Sequence, residues 1–213
     1  MKATTNKIYE ELFERYPVLR SVKESVKNAF CIMADTYKNG GTLYICGNGG
    51  SASDSEHIVG ELLKSFKKPR RIDEKTAKNL ISLGEEGEYL LNNLEGALPA
   101  VSLISQTAVM TAYANDRTWD TATAQQLYGL GREGDCLLAL STSGNSKNCV
   151  YASLVARAKN MKSVAFTGIG GGRLKEICDE CICAPETETY RIQELHLPIY
   201  HCLCAMLEEE FFD

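Results

Sequence analysis

No run of about 18 apolar residues occurs anywhere in the 213-residue sequence, so no segment is built to cross a bilayer as a helix. The first thirty residues are a charged amphipathic stretch without an apolar h-region, which argues against a secretory leader. Basic residues are also in short supply. Lys and Arg number 23 against 28 Asp and Glu, a net charge of −5, so there is no general positive field for nucleic acid or acidic lipid. Any anion has to be caught locally. Two nucleotide signatures are missing as well: GxxxxGK followed by Ser or Thr, and GxGxxG spacing with an acidic residue about 20 positions on. Nine cysteines is an odd number, and without an export signal it predicts reduced thiols in the cytoplasm. Cys178, Cys181 and Cys183 form a CxxCxC run and Cys202 and Cys204 a CxC, spacings a zinc or redox site could use. They alternate with Ile177, Ile182 and Leu203, however, and read as small buried hydrophobes.

What is there centres on residues 43–66. A short apolar strand leads into Gly47-Asn48-Gly49-Gly50-Ser51-Ala52-Ser53 and then a helix carrying His57 and Glu61. Glycines let the chain turn hard, and Asn48, Ser51 and Ser53 add side-chain donors where the first helical N–H groups have no internal partner. An anion such as a phosphate or carboxylate is favoured there by those N–H groups and the helix dipole. His57 and Glu61, at i and i+4, leave one helix face about a turn beyond that point. Taken alone, such a pair is more often a surface contact; its place after a glycine-rich loop turns the reading towards chemistry.

Ile8, Leu12, Tyr16 and Leu19 predict one N-terminal helix, and Ser21 with Glu24 a capping box opening a second, stopped at Asn39-Gly40-Gly41. Strands are predicted over 42–46, 101–104, 136–140, 164–166 and 180–184, with helices between them and a last helix over 191–212. That alternation predicts an α/β fold: a doubly wound, parallel five-stranded sheet flanked by helices. The third strand runs into Ser141-Thr142-Ser143-Gly144-Asn145-Ser146, a second hydroxyl-rich turn at a strand's carboxyl end, where such sheets bind ligands. One domain spans 1–213. Within it, residues 67–98 read as a helical insertion on Leu80, Leu83, Leu90, Leu91 and Leu94, and the basic run at its start, Lys67-Lys68-Pro69-Arg70-Arg71, as a solvated face.

With GNGGSAS, STSGNS and Arg191-Ile192-Gln193-Glu194-Leu195-His196 in hand, the chain resembles the sugar isomerase (SIS) domain family, and within it the phosphoheptose isomerases. The resemblance covers nearly the whole chain apart from residues 67–98. It implies a homotetramer, with active sites between subunits, that interconverts sedoheptulose 7-phosphate and D-glycero-D-manno-heptose 7-phosphate, with zinc in some members. It further implies Asn48, Gly49, Ser51, Asp116, Ser141, Thr142, Ser143, Ser146 and Gln193 as substrate and phosphate contacts. By the same resemblance Glu61 is the catalytic base, His201 the acid or proton partner, and His57, Glu61, Gln193 and His201 are the zinc ligands. Neither nucleic acid nor a membrane is an expected partner.

Moving a carbonyl to the next carbon requires taking a proton from one carbon and delivering it to its neighbour through an enediol, work suited to a carboxylate and an imidazole. Of the three histidines, His196 is left as a structural residue or a supporting one. Pro198 lies between Gln193 and His201, which stand about 12 Å apart along a helix axis, and predicts a bend. The long 67–98 segment, and Ser65 where some relatives have arginine, leave another sugar phosphate open as substrate. The rival readings are a non-catalytic SIS scaffold, disfavoured by Glu61 and His201, and a sugar-phosphate-sensing regulatory module.

Overall fold

The computed structural model describes residues 1–212. Two helices, α1 (Ala3–Arg15) and α2 (Lys23–Lys38), are joined by a 3-10 turn, Pro17–Val22. Five strands follow, β1 (Leu43–Cys46), β2 (Ala100–Ser102), β3 (Cys136–Leu140), β4 (Lys162–Gly168) and β5 (Glu180–Ala184). Helix α3 (Gly50–Leu63) leaves β1; α4 (Glu74–Ile81) and α5 (Glu85–Asn93) supply the helices expected within residues 67–98. Then α6 (Thr107–Asp116) and α7 (Trp119–Leu130) precede β3, while α8 (Lys147–Ala158), α9 (Gly172–Ile177) and α10 (Thr189–Phe211) complete the chain.

All pairings are parallel and the strand order is β2-β1-β3-β4-β5. Strands β1 and β3 are buried along their whole length because side chains alternate between two covered faces. Leu43, Ile45, Leu138, Leu140 and Phe166 face a layer made by α1, α2, α3 and α10. Tyr44, Cys46, Leu137, Ala139 and Ala165 face Leu127, Cys149, Ala152, Ala156 and Leu174 of α7, α8 and α9. No helix among the described residues is long and apolar enough to cross a membrane.

Two local expectations change. The capping box at Ser21 is absent: α2 begins a residue later, at Lys23, and the Ser21 hydroxyl turns back to the Val18 carbonyl within the 3-10 turn, where it cannot serve the next helix. The basic run is only partly a solvated face. Arg70 is buried, pairing through Nε with Glu208 Oε1 at 2.8 Å, and its other nitrogens donate to the Glu61 and Leu62 carbonyls at 2.7 Å each. Those carbonyls end α3 and have no helical donor of their own, so a guanidinium fork can satisfy them while Glu208 neutralises its charge. Helix α10 continues unbroken through Pro198.

His196 is structural. Fully buried against Phe166, it donates Nε2–H to the Thr167 carbonyl (3.1 Å), while its Nδ1 has no partner. Burial pushes its pKa down to about 4, the hydrogen bond to Thr167 opposing. The unfolded chain therefore takes up a proton near the ordinary value of about 6.5, which the folded chain refuses until about pH 4. Stability contributed by the neutral ring is complete above pH 6.5 and lost as pH falls towards 4, a drop of about 3 kcal/mol. Urea titrations of wild type and His196→Gln across that range check this: the wild type is expected to lose the larger amount, and parallel curves would refute it.

Candidate active site

The two glycine- and serine-rich turns lie side by side. They follow β1 and β3, adjacent strands in the sheet, at the place where strand order reverses and where open α/β sheets bind ligands. Asn48 after β1 and Asn148 in the first turn of α8 exchange two amide hydrogen bonds of 2.9 Å, tying the turns together. Gly49 takes φ 55°, a backbone conformation glycine adopts without cost, to send the chain into α3. Neither Gly49 nor Ser146 caps its helix through a side chain, so N–H groups at both helix starts are left facing the loops. In the second turn the buried Ser141 donates Oγ–H to Ser146 Oγ at 2.9 Å, and Asn145 N–H donates to the exposed Ser143 Oγ. Gly144 is required here, because a Cβ would stand 2.0 Å from the Gly171 carbonyl oxygen.

Helices α3 and α10 run side by side in one direction. Gln193 packs on Gly50 at their start, His57 lies against Tyr200 and His201 midway, and Arg70 and Glu208 join their ends. His57 Nε2 is 3.2 Å from Glu61 Oε1, and Lys64 Nζ donates to Glu61 Oε2 at 3.3 Å. The Glu61 side chain is only 12% exposed. The His201 ring is 5.1 Å from that of His57 and 5.6 Å from Phe66. Burial, and after it the neighbouring His57, hold His201 below the ordinary imidazole pKa, with Glu61 opposing. Such a cluster can accept a proton on a carboxylate and return one from an imidazole.

The structure thus gathers Glu61, His57 and His201, and separately gathers Asn48, Gly49, Ser51, Ser141, Thr142, Ser143 and Ser146 on the two turns. Glu61 lies about 16 Å down α3 from Gly50 and His57 about 10 Å, at 1.5 Å per residue, two to three turns beyond the loop rather than one. Gln193 stays at the loop end of that pair of helices. Asp116, exposed at the end of α6, accepts from its neighbour Asn115. A cavity of about 260 Å³ opens beside His201 between α1 and α10 and is lined by Ile8, Leu12, Tyr16, Phe66 and Pro198. None of its lining residues belongs to either turn.

No group of three or more His, Cys, Asp or Glu side chains among the described residues is arranged to hold a metal ion. Two donors nonetheless suit one. His57 Nδ1 is engaged by Tyr200, which leaves Nε2 and a Glu61 oxygen facing each other, the nitrogen and oxygen donors zinc takes. Sequence reasoning missed Tyr200, Asp54 and Asn148. Asn148, two residues past STSGNS, was within reach of motif reading; the contact of Tyr200 with His57 spans 143 residues and has no local signal.

A SIS domain family model matches residues 11–86 and 90–168. The chain is 37% identical over 199 residues to the phosphoheptose isomerase of Akkermansia muciniphila, covering 93% of this chain and 92% of that protein. It is 35% identical over 208 residues to that of Nitratiruptor sp., covering 96% and 98%. Among solved structures, a phosphoheptose isomerase from Francisella tularensis superimposes with TM-score 0.75 at 27% identity, over 98% of this chain and 100% of that one. One from Neisseria gonorrhoeae gives 0.71 at 29% identity, over 97% and 94%.

Proposed function

Because this chain belongs to the SIS domain family, with phosphoheptose isomerases among its relatives at 35–37% identity over more than nine-tenths of its length, we propose that it interconverts sedoheptulose 7-phosphate and D-glycero-D-manno-heptose 7-phosphate. It is an aldose-ketose phosphosugar isomerase. The observation that carries the mechanism is Glu61: a mostly buried carboxylate with an imidazole on one oxygen and an ammonium on the other.

The paired turns hold the phosphoryl end of the sugar through hydroxyls of Ser51, Ser141, Thr142, Ser143 and Ser146, the Asn48 amide, the Gly49 backbone and the two helix starts. Glu61 takes the proton from the carbon next to the carbonyl and returns it to the neighbouring carbon. His201, kept neutral more readily than a free imidazole, exchanges the proton between the two oxygens of the enediol. His57 and Glu61 would hold zinc, which when bound supplies polarisation of the carbonyl oxygen; Gln193, at the loop end on Gly50 and not beside them, and Asp116 on α6 contact the sugar.

Within one chain the loops and the cluster stand two to three helical turns apart. This supports a homotetramer in which the turns of one copy face the Glu61 cluster of another. The chain forms a single SIS domain with residues 67–98 inserted, and its nine unpaired cysteines support a cytoplasmic setting. The test is turnover of sedoheptulose 7-phosphate against a panel of other ketose phosphates in deuterated water. Expected are a preference for the seven-carbon sugar and solvent deuterium at the carbon that gains the proton. Turnover of a different sugar alone would replace the substrate, and no turnover of any would overturn the reading.

A further inference from the structure

His57 is one end of a chain of hydrogen bonds that runs back into the protein. The Tyr200 hydroxyl donates to Asp54 Oδ1 at 3.2 Å and lies 3.0 Å from His57 Nδ1. A phenol has one proton. With that proton directed at Asp54, the oxygen can only accept from the imidazole, so Nδ1 carries the hydrogen and Nε2 is left with its lone pair. Nε2 then faces Glu61 Oε1, a second acceptor, at 3.2 Å. Two acceptors at that distance repel one another until a proton or a cation comes between them.

The opposite tautomer, with Nε2–H donated to Glu61, would close the pair on itself and make His57 an inert donor. It would also turn the Nδ1 lone pair onto the Tyr200 oxygen. Tyr200 has little freedom to avoid this, because it is 1% exposed and its ring packs edge-on against His57 and His201 at 5.5 and 4.9 Å. Asp54 sits one turn before His57 on the same helix and fixes the direction of the hydroxyl.

We infer that Tyr200, directed by Asp54, is a positioning residue that locks His57 with its proton on Nδ1 and keeps Nε2 bare towards Glu61. What the bare nitrogen is for rests on the isomerase reading; the lock itself does not. Metal ligands of this type hold their ring by donating the other N–H to a neighbouring group, and losing that partner costs about 10- to 100-fold in metal affinity.

The experiment is nitrogen NMR of histidine-labelled, metal-free protein at alkaline pH, with zinc affinity of the same samples measured by competition with a chromophoric chelator. In wild type, His57 Nδ1 is expected to be protonated. In Tyr200→Phe, which keeps the ring, that proton is lost from a large fraction of molecules, and zinc affinity falls about 10- to 100-fold. Asp54→Ala frees the Tyr200 hydroxyl to donate to Nδ1, so the proton is expected to move to Nε2 more completely. It provides a second route should Tyr200→Phe fold poorly. An unprotonated Nδ1 in wild type, or a tautomer unmoved by both substitutions, overturns the inference. Substrate is absent throughout, so failure to isomerise any sugar phosphate would sink the isomerase reading and leave this result standing.

Discussion

Glu61→Gln is expected to lower kcat on sedoheptulose 7-phosphate by about 10²- to 10⁴-fold, the range one positioned acid-base group supplies. The amide has the carboxylate's shape, so α3 and its packing on α10 are kept. The exposed Lys64 contact that is lost is worth little to stability. What disappears is the carboxylate in contact with His57 Nε2, and with it the base proposed to take the proton from carbon. Because the turns take the phosphoryl end of the sugar and Glu61 acts at its carbonyl end, inhibition by inorganic phosphate should change by less than about twofold. Metal content measured on the same preparations separates loss of a base from loss of a zinc ligand. Turnover within tenfold of wild type would exclude Glu61 as the base.

Glu208→Ala should destabilise the fold by about 3–5 kcal/mol, the cost of stranding one charge of a buried pair. The two side chains are 0% and 2% exposed, so water cannot take over. Glu208 also accepts the Phe66 and Lys67 N–H groups at 2.8 Å each, and those donors are stranded as well. For a chain of this length the loss corresponds to a fall in Tm of roughly 6–20 °C. A double replacement, Arg70→Met with Glu208→Leu, should recover part of it, since apolar residues carry no desolvation penalty, although the α3 carbonyls then lose their donor. Denaturant unfolding of the three proteins measures this; a loss below about 1 kcal/mol for Glu208→Ala would show that the pair is solvated in solution.

The paired loops were legible because their chemistry is local. Strand, glycine turn, hydroxyl and helix start occupy a dozen residues, and a parallel sheet has only one edge at which such turns can meet a ligand. The helices within residues 67–98 were legible for the same reason, from leucine spacing. The basic run was misread because its charge is visible in sequence and its partner, 138 residues away, is not. Arg70 differs from Arg71 only in where the chain turns. The Ser21 box failed at shorter range, since a 3-10 turn gave that hydroxyl a nearer acceptor.

By itself the sequence determined the elements, their layering and the residue types able to bind a phosphate or move a proton, because period, propensity and turn chemistry act over a few residues. Only tertiary structure decided that Tyr200 would grip His57, that Arg70 would be buried on Glu208, and that loop and acid-base cluster would stand apart in one chain. Those outcomes depend on two helices lying side by side in one register. Packing across the whole sheet sets that register, and no short stretch of residues encodes it.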